Sequence, residues 1–222
     1  MKKFMNTAIA ATALLMSVAA VAAPTPFQVS TVLITPGSGY GVDTNENGGR
    51  NLLNVAFTQA FSDFTIHPLG VGQSYNFKIG TVNFLEPNTG NQFPGIAPEE
   101  LDTLGVTVKF TFTNPFGGDR IVTTNGLATL GPVIDSPEAV DYALNWLPQT
   151  QTYGRGGQFT IGLNNLSFST NTEGAKDLFA TVTFTAEEAA LAADVPEPAS
   201  IALFGLGVGA MAFLRRRTAV KQ

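Results

Sequence analysis

The feature that most constrains the fold of this 222-residue chain is the strict alternation of apolar and polar side chains in two segments. Residues 106–113 read Val-Thr-Val-Lys-Phe-Thr-Phe-Thr, and residues 180–185 place Ala, Val and Phe between threonines. A period of two collects the apolar side chains on one face of a strand, whereas a helix needs a period near 3.6. Both segments are therefore predicted to be half-buried β-strands.

Shorter segments extend this pattern over most of the chain. Residues 75–79 and 159–163 also alternate, and stretches rich in Gly or Pro, such as 115–118 and 153–157, separate the predicted strands. The chain has 23 Gly and 13 Pro but only 13% charged residues, which argues against a helical bundle. The predicted fold class is all-β: an antiparallel two-sheet β-sandwich, jelly-roll or immunoglobulin-like, over residues 23–186.

Helical signals are sparse. Residues 98–104 suit one helical turn, and residues 187–194 suit either a linker or a short helix. Residues 136–146 begin with a helix-capping Ser-Pro-Glu, but the apolar alternation that ends at Trp146 favours a strand.

The first 22 residues have the three parts of a secretory signal peptide. Lys2 and Lys3 precede an apolar run at residues 8–20, and small side chains follow. Ala20 and Ala22 suit signal peptidase, so the predicted cut follows Ala22; a cut after Ala23 also satisfies the enzyme but would place Pro24 directly after it. An uncleaved anchor is the alternative.

Residues 195–217 combine a proline-flanked glutamate, an apolar stretch and a cluster of arginines. The residues concerned are Val195, Pro196, Glu197 and Pro198, followed at the other end by Arg215, Arg216 and Arg217. As a helix, the apolar stretch at 199–214 would cover about 24 Å of a hydrocarbon core about 30 Å thick, so it predicts a short transmembrane helix. The arginines would stop it on the cytoplasmic side, which leaves residues 218–222 as a cytoplasmic tail.

This C-terminal segment resembles the PEP-CTERM sorting domain of Gram-negative bacteria. The resemblance implies an exported protein that is anchored in the inner membrane during transit. Exosortase, a membrane-embedded protease, would then cut it near the Pro-Glu-Pro tripeptide. The body would next be released or attached to the cell surface, typically in organisms that make exopolysaccharide. An ordinary proline linker before an ordinary anchor is the alternative.

Charge and composition exclude several classes of function. Residues 23–198 carry six basic and 17 acidic side chains, a net charge of −11, which disfavours nucleic acid and anionic membrane surfaces as partners. The absence of cysteine excludes disulfides and thiolate zinc sites. Because His67 is the single histidine, sites that need two imidazoles are also excluded.

One loop has half of a calcium-binding pattern. Asp43, Asn45 and Asn47 alternate ahead of a glycine, as in the first half of a calcium loop. The twelfth position is Asn54 instead of a bidentate glutamate. The loop is therefore a candidate calcium site with a polar surface loop as its alternative, and no other cofactor is predicted.

No catalytic constellation is found in the sequence. Glu86, Asp119, Asp135 and Asp141 are the carboxylates available for hydrolysis, but their spacing selects no pair. No nucleophile motif accompanies His67, which is predicted to be a strand-end histidine without a catalytic role. The chain is therefore predicted not to be an enzyme.

Three functions are compatible with these observations. The favoured one is a structural or binding surface protein that holds polysaccharide through exposed Tyr, Trp and Asn. The alternatives are a secreted polysaccharide hydrolase and an ice-binding protein. Ice binding would require two threonine rows to be flat and adjacent: Thr107, Thr111 and Thr113 in one, and Thr181, Thr183 and Thr185 in the other.

Overall fold

The computed structural model describes residues 24–43, 52–88, 95–115, 117–133 and 139–189. These residues form the strands β1 (Thr25–Pro36), β2 (Val55–Gln59), β3 (His67–Leu69), β4 (Ser74–Phe84), β5 (Gly105–Asn114), β6 (Gly118–Ala128), β7 (Tyr142–Leu144), β8 (Gln149–Tyr153), β9 (Gly157–Leu163), β10 (Leu166–Phe168) and β11 (Lys176–Ala186). A single 3-10 turn, Pro98–Leu101, accompanies them. The predicted signal peptide, sorting segment and cytoplasmic tail lie outside the described residues.

The strands form two antiparallel sheets. The first sheet has the order β10-β7-β6-β5-β1-β3, and the second has the order β2-β4-β11-β9-β8. The prediction of an all-β chain with two antiparallel sheets is confirmed, whereas the jelly-roll or immunoglobulin-like topology stays a prediction. Among the described residues, no helix has the length and apolar character that crossing a membrane requires.

The alternation seen in the sequence determines which face of each strand is buried. In β5 the side chains of Val106, Val108, Phe110 and Phe112 are buried, and the threonines between them are partly exposed. The same pattern holds in β11, where the residues on either side of Thr183 are buried. Each of these strands therefore buries one face and exposes the other, as a period of two requires.

Phenylalanine rings join the two apolar faces. The rings of Phe27 in β1 and Phe184 in β11 have centroids 6.4 Å apart, and those of Phe112 in β5 and Phe159 in β9 are 5.4 Å apart. Offset and edge-on ring pairs at such distances add to the free energy gained by burying their area. The core therefore lies between the sheets, and both polar faces point outward.

The short elements predicted from the sequence appear in part. The 3-10 turn lies within the predicted helical turn at 98–104. Within 136–146 the described backbone forms the short strand β7, in agreement with the strand interpretation. Residues 187–189 follow β11 without helix or strand, and residues 190–194 lie outside the described residues.

Strand β1 begins at the same end of the molecule at which β11 ends. Thr25 lies opposite Leu69 of β3 in the first sheet. The turn that follows β3 is bonded to the second sheet, because Gly72 N–H donates to the carbonyl oxygen of Phe184 at 2.8 Å. Thr25 and the last turn of the β3–β4 connection therefore lie at one end of the molecule.

The chain also leaves the described body at this end. After β11, Ala189 N–H donates to the carbonyl oxygen of Arg155 at 3.0 Å, in the turn between β8 and β9. The rings of Tyr153, just before this turn, and Phe184 are 5.9 Å apart. We call this the proximal end, and the opposite end, with β7 and β10, the distal end.

A pair of tyrosine hydroxyls is buried at the distal end. The Tyr40 hydroxyl donates to the carbonyl oxygen of Leu104 at 2.8 Å and lies 2.9 Å from the Tyr142 hydroxyl, which therefore donates to Tyr40. Burial raises the pKa of Tyr40 to about 12 and raises the pKa of Tyr142 as well. Gly126 makes room for the pair, since a Cβ there would lie 2.2 Å from the Tyr40 hydroxyl oxygen.

Replacing this glycine is predicted to destabilise the fold. We expect Gly126→Ala to lower the free energy of unfolding by about 2 kcal/mol, because the added methyl group overlaps the tyrosine hydroxyl. Urea denaturation measures the change. Gly162→Ala is the matched control, since a Cβ there would meet only Pro148, at an ordinary 3.8 Å. Equal stability of the two variants would contradict the packing described here.

Candidate functional site

A row of hydroxyl groups crosses four strands on the outer face of the second sheet. Ser74 of β4 lies opposite Thr183 of β11, and their Oγ atoms are 2.8 Å apart. Thr183 lies opposite Thr160 of β9. Thr160 in turn lies opposite Thr150 of β8, with Oγ1 atoms 3.4 Å apart. We call Ser74, Thr183, Thr160 and Thr150 the hydroxyl row.

Uncharged polar groups flank the hydroxyl row on both sides. On the distal side, the Asn76 side-chain amide donates to Thr181 Oγ1 at 3.2 Å. On the proximal side, Gln158 lies opposite Thr152. Hydroxyl and amide groups both donate and accept hydrogen bonds. This face can therefore bind a partner through many hydrogen bonds without an opposite charge.

An ion pair borders the polar face at its distal side. Lys78 Nζ and Asp177 Oδ1 are 2.6 Å apart, and both side chains are more than 40% exposed. Opposite charges at this distance largely cancel at longer range in water. The pair therefore leaves the hydroxyl row in neutral surroundings.

The outer face of the first sheet has a different character. Thr35, Thr107 and Thr123 form one cross-strand row. In a neighbouring row Lys109 lies between Leu33 and Ile121, which are exposed to 45% and 53%. The apolar and charged side chains interrupt the threonine surface on this side.

The two threonine rows considered for ice binding are not adjacent. Thr107 belongs to β5 in the first sheet, and Thr181 belongs to β11 in the second. Because the sheets pack through their apolar faces, these threonines point to opposite sides of the molecule. The single flat surface that the two rows would need is therefore absent.

The exposed tryptophan of the polysaccharide prediction is wrong, and of the four tyrosines Tyr40 and Tyr75 are half-buried. Trp146 is only 4% exposed, and Tyr142 and Tyr153 are also buried. Their rings contribute to the core instead of a stacking surface. Asparagine fits the prediction better, because Asn76 is exposed beside the hydroxyl row.

His67 belongs to a small polar cluster near the proximal end. Its Nε2 lies 3.1 Å from Asp63 Oδ2, and its ring stacks on Tyr75 with centroids 3.7 Å apart. The Tyr75 hydroxyl donates to the same carboxylate oxygen, and Thr65 N–H donates to Asp63 Oδ1 at 3.0 Å. The sequence offered no partner for His67, since Asp63 lies four residues earlier in a segment without helical pattern.

The cluster shifts the pKa values of two of its members. The hydrogen bond from Tyr75 lowers the pKa of Asp63 to about 2. Burial, together with the bond to Asp63, raises the pKa of Tyr75 to about 12. Ionised Asp63 and neutral Tyr75 therefore stabilise each other and hold the connection between β2 and β3 against β4.

The candidate calcium residues are described only in part. Asp43 Oδ2 accepts a hydrogen bond from Leu52 N–H at 3.4 Å, while Asn45 and Asn47 lie outside the described residues. In the described ranges, no group of three or more His, Asp or Glu side chains is arranged to hold a metal ion. The calcium site stays a prediction.

The candidate hydrolytic carboxylates occupy different environments. Glu86 is buried and accepts a hydrogen bond from Asn54 N–H at 2.9 Å. Asp141 is also buried, beside β7 at the distal end, whereas Asp119 is exposed near the proximal end of β6. Asp135 lies outside the described residues. The structure does not bring Asp119 and Asp141 together.

The Asp63 cluster predicts a specific dependence of stability on pH. Because the folded-state pKa lies below the ordinary value of 3.8, ionised Asp63 stabilises the fold above that pH, and the effect is lost as the pH falls to about 2. We expect Asp63→Asn to lower the unfolding free energy at pH 7 by about 1 kcal/mol, since solvent screens part of the interaction. At pH 2 most of the difference between the variant and the parent should be gone, because the folded-state carboxyl is then about half protonated.

Urea denaturation at both pH values measures this difference. Asp177→Asn is the control, because its exposed ion pair with Lys78 contributes less than about 0.5 kcal/mol. A deficit of Asp63→Asn that persists unchanged at pH 2 would contradict the role of the ionised carboxylate.

Comparisons with known proteins concern the C-terminal segment. The PEP-CTERM protein-sorting motif matches residues 194–217, which include the Pro-Glu-Pro tripeptide and the three arginines. No curated protein and no solved structure matches the chain. The chain carries a PEP-CTERM sorting motif at its C-terminus, and this motif implies an exported protein that exosortase sorts to the surface.

Proposed function

We propose that this chain is an exported cell-surface or matrix protein whose body binds a neutral exopolysaccharide through the hydroxyl row. The observation that carries the proposal is the alignment of Ser74, Thr183, Thr160 and Thr150 across four hydrogen-bonded strands. A rigid sheet holds these groups in place, so little side-chain entropy is lost on binding.

The chemistry of this face suits a polymer of sugars. Each hydroxyl or amide can exchange hydrogen bonds with a sugar hydroxyl, and each such bond contributes about 0.5–1.5 kcal/mol. Single contacts are therefore weak. A long polysaccharide would engage several copies that are held on one cell surface, and because those copies are held together this multivalency raises the overall affinity.

Net charge favours a neutral polysaccharide over an acidic one. The predicted exported part, residues 23–198, carries a net charge of −11. Like charges repel over the Debye length, so an acidic polymer would approach the body less readily.

The sorting segment supports the proposed route to the surface. Signal peptidase would cut after Ala22, and the apolar stretch at 199–214 would hold the protein in the inner membrane. The prolines on either side of Glu197 favour extended backbone, which fits a protease groove. A basic side chain of exosortase would bind the Glu197 carboxylate through a charge-assisted hydrogen bond.

The body acts without catalysis in this proposal, and no cofactor takes part. The second candidate is ice binding, because the hydroxyl row repeats at the strand spacing of about 4.8 Å. Thermal hysteresis of the purified protein distinguishes the candidates. A hydrolase has less support, since Asp119 and Asp141 lie near opposite ends of the body and both Glu86 and Asp141 are buried away from a polymeric substrate.

Removal of two hydroxyl groups tests polysaccharide binding. We expect the double variant Thr160→Val/Thr183→Val to lose about 90% of its co-sedimentation with the exopolysaccharide of the producing cells, because two lost bonds correspond to about tenfold in affinity. Valine keeps the shape and the strand preference of threonine. Thr107→Val, on the opposite face, is the control and should bind like the parent.

Two results would refute the assignment of this face. One is unchanged binding by the double variant, and the other is an equal loss in Thr107→Val. Thermal hysteresis that disappears only in the double variant would support ice binding instead.

A single carboxylate tests the sorting route. We expect Glu197→Ala to accumulate in the inner membrane as an untrimmed form, because insertion depends on the apolar stretch and recognition depends on the carboxylate. Immunoblotting of membrane and culture fractions measures the distribution. Glu187→Ala, ten residues earlier, is the control and should be trimmed normally; normal trimming of Glu197→Ala would contradict the proposed recognition.

A further inference from the structure

The lengths of the two linkers place the proximal end close to the membrane. From Ala189, the last described residue, to Ala199 at the start of the apolar stretch there are ten residues, which span at most about 36 Å. From Ala20 in the signal peptide to Thr25 there are five, which span at most about 18 Å. Because both linkers leave from the proximal end, this end faces the bilayer before either cut.

Three exposed apolar side chains lie near this same end. Phe64, Ile66 and Val71 are exposed to 57%, 53% and 54%. Val71 is in the turn between β3 and β4, and the other two are in the connection that leads into β3. We call Phe64, Ile66 and Val71 the apolar contact set.

The structure holds this set in place. The Phe64 carbonyl oxygen accepts a hydrogen bond from Gln28 Nε2 at 2.7 Å, and its ring lies 5.3 Å from that of Phe61. Asp63 and Thr65, which flank Phe64, are hydrogen-bonded to each other, and His67, which follows Ile66, contacts the same Asp63 carboxylate. A fixed apolar surface loses little conformational entropy when it meets a partner.

Charges around the proximal end do not favour an anionic surface. Among the described residues, the charged side chains there are Asp63, Asp119, Arg120, Arg155, Glu187 and Glu188, together with Lys109, whose Nζ lies 3.2 Å from Asp119 Oδ2. Four are acidic and three are basic, so these side chains carry no net positive charge that would attract anionic lipid. The burial of apolar side chains in the interfacial region remains as the favourable contribution.

We propose that the apolar contact set rests on the lipid surface while the precursor is anchored in the membrane. This inference rests on the proposed function, because it requires the C-terminal anchor. The contact holds the body beside the membrane boundary, where the Pro-Glu-Pro tripeptide directly precedes the anchor, and it ends when the cut releases the body.

Single-cysteine labelling of the full chain tests the contact. Because the natural chain has no cysteine, the single thiol introduced by Val71→Cys or by Leu147→Cys can be labelled with one environment-sensitive dye. Leu147 is 74% exposed and lies toward the distal end, so it is the matched control. With the chain in phosphatidylcholine vesicles, iodide should quench the dye at position 71 with a roughly threefold smaller constant than the dye at 147, since interfacial burial excludes water.

A third variant shows whether the set acts together. Phe64→Ser/Ile66→Ser/Val71→Cys should lose most of the protection from iodide, because the two apolar side chains that remain beside the labelled position in Val71→Cys are gone as well. Retained protection would overturn the assignment to this set.

The outcomes separate this inference from the proposed function. If the chain floats with the vesicles but iodide quenches both dyes equally, the lipid contact is refuted and the anchor stands. If the chain does not float, the proposed anchor fails, and the inference fails with it. Protection of position 71 that appears only when exosortase is present would assign the contact to the enzyme and refute the lipid surface.

Discussion

Burial of one face of each strand is the constraint on which the rest of this structure depends. Phe184 and Val182 of β11 point into the core, and this forces Thr183 outward. Each fully buried phenylalanine or valine contributes about 1.5–3 kcal/mol, whereas an exposed threonine costs little wherever it lies. The outward direction of Thr183 is therefore a consequence of the buried inner face, and the hydroxyl row lies on hydrogen-bonded strands.

The sequence predicts which face of each strand is buried much better than it predicts which strands lie side by side. Alternation in 106–113 and 180–185 correctly identifies which side chains are buried. It does not reveal that Thr183 bonds to Ser74, which is 109 residues away, because strand order and register depend on the whole chain. Thr160 and Thr150 were missed as part of the site for the same reason.

Local chemistry that depends on close packing is also invisible in the sequence. Trp146 carries an indole N–H and is predicted from the sequence to lie at the surface, but its ring is buried in the core. The sequence does not distinguish Gly126 from any other strand glycine, because its contact with Tyr40 exists only in the folded structure. The partnership of Asp63 with Tyr75 arises only when the connection into β3 folds back over β4. Each case needs the three-dimensional arrangement, which periodicity does not encode.

The proposed function uses different parts of the molecule for attachment and for binding. Both ends of the body leave from the proximal end, which is the end that a membrane anchor would hold. In the proposal, attachment uses the proximal end of the molecule and binding uses the outer face of the second sheet, which the hydroxyl row crosses from Ser74 to Thr150.

The intact mass of the native protein, measured separately in the cytosol, membrane and extracellular fractions, tests the account most directly. The predicted mature chain begins at Ala23, ends within residues 195–198, and is found outside the cell. An untrimmed chain from Met1 to Gln222 that stays in the cytosol would contradict export, anchoring and sorting together.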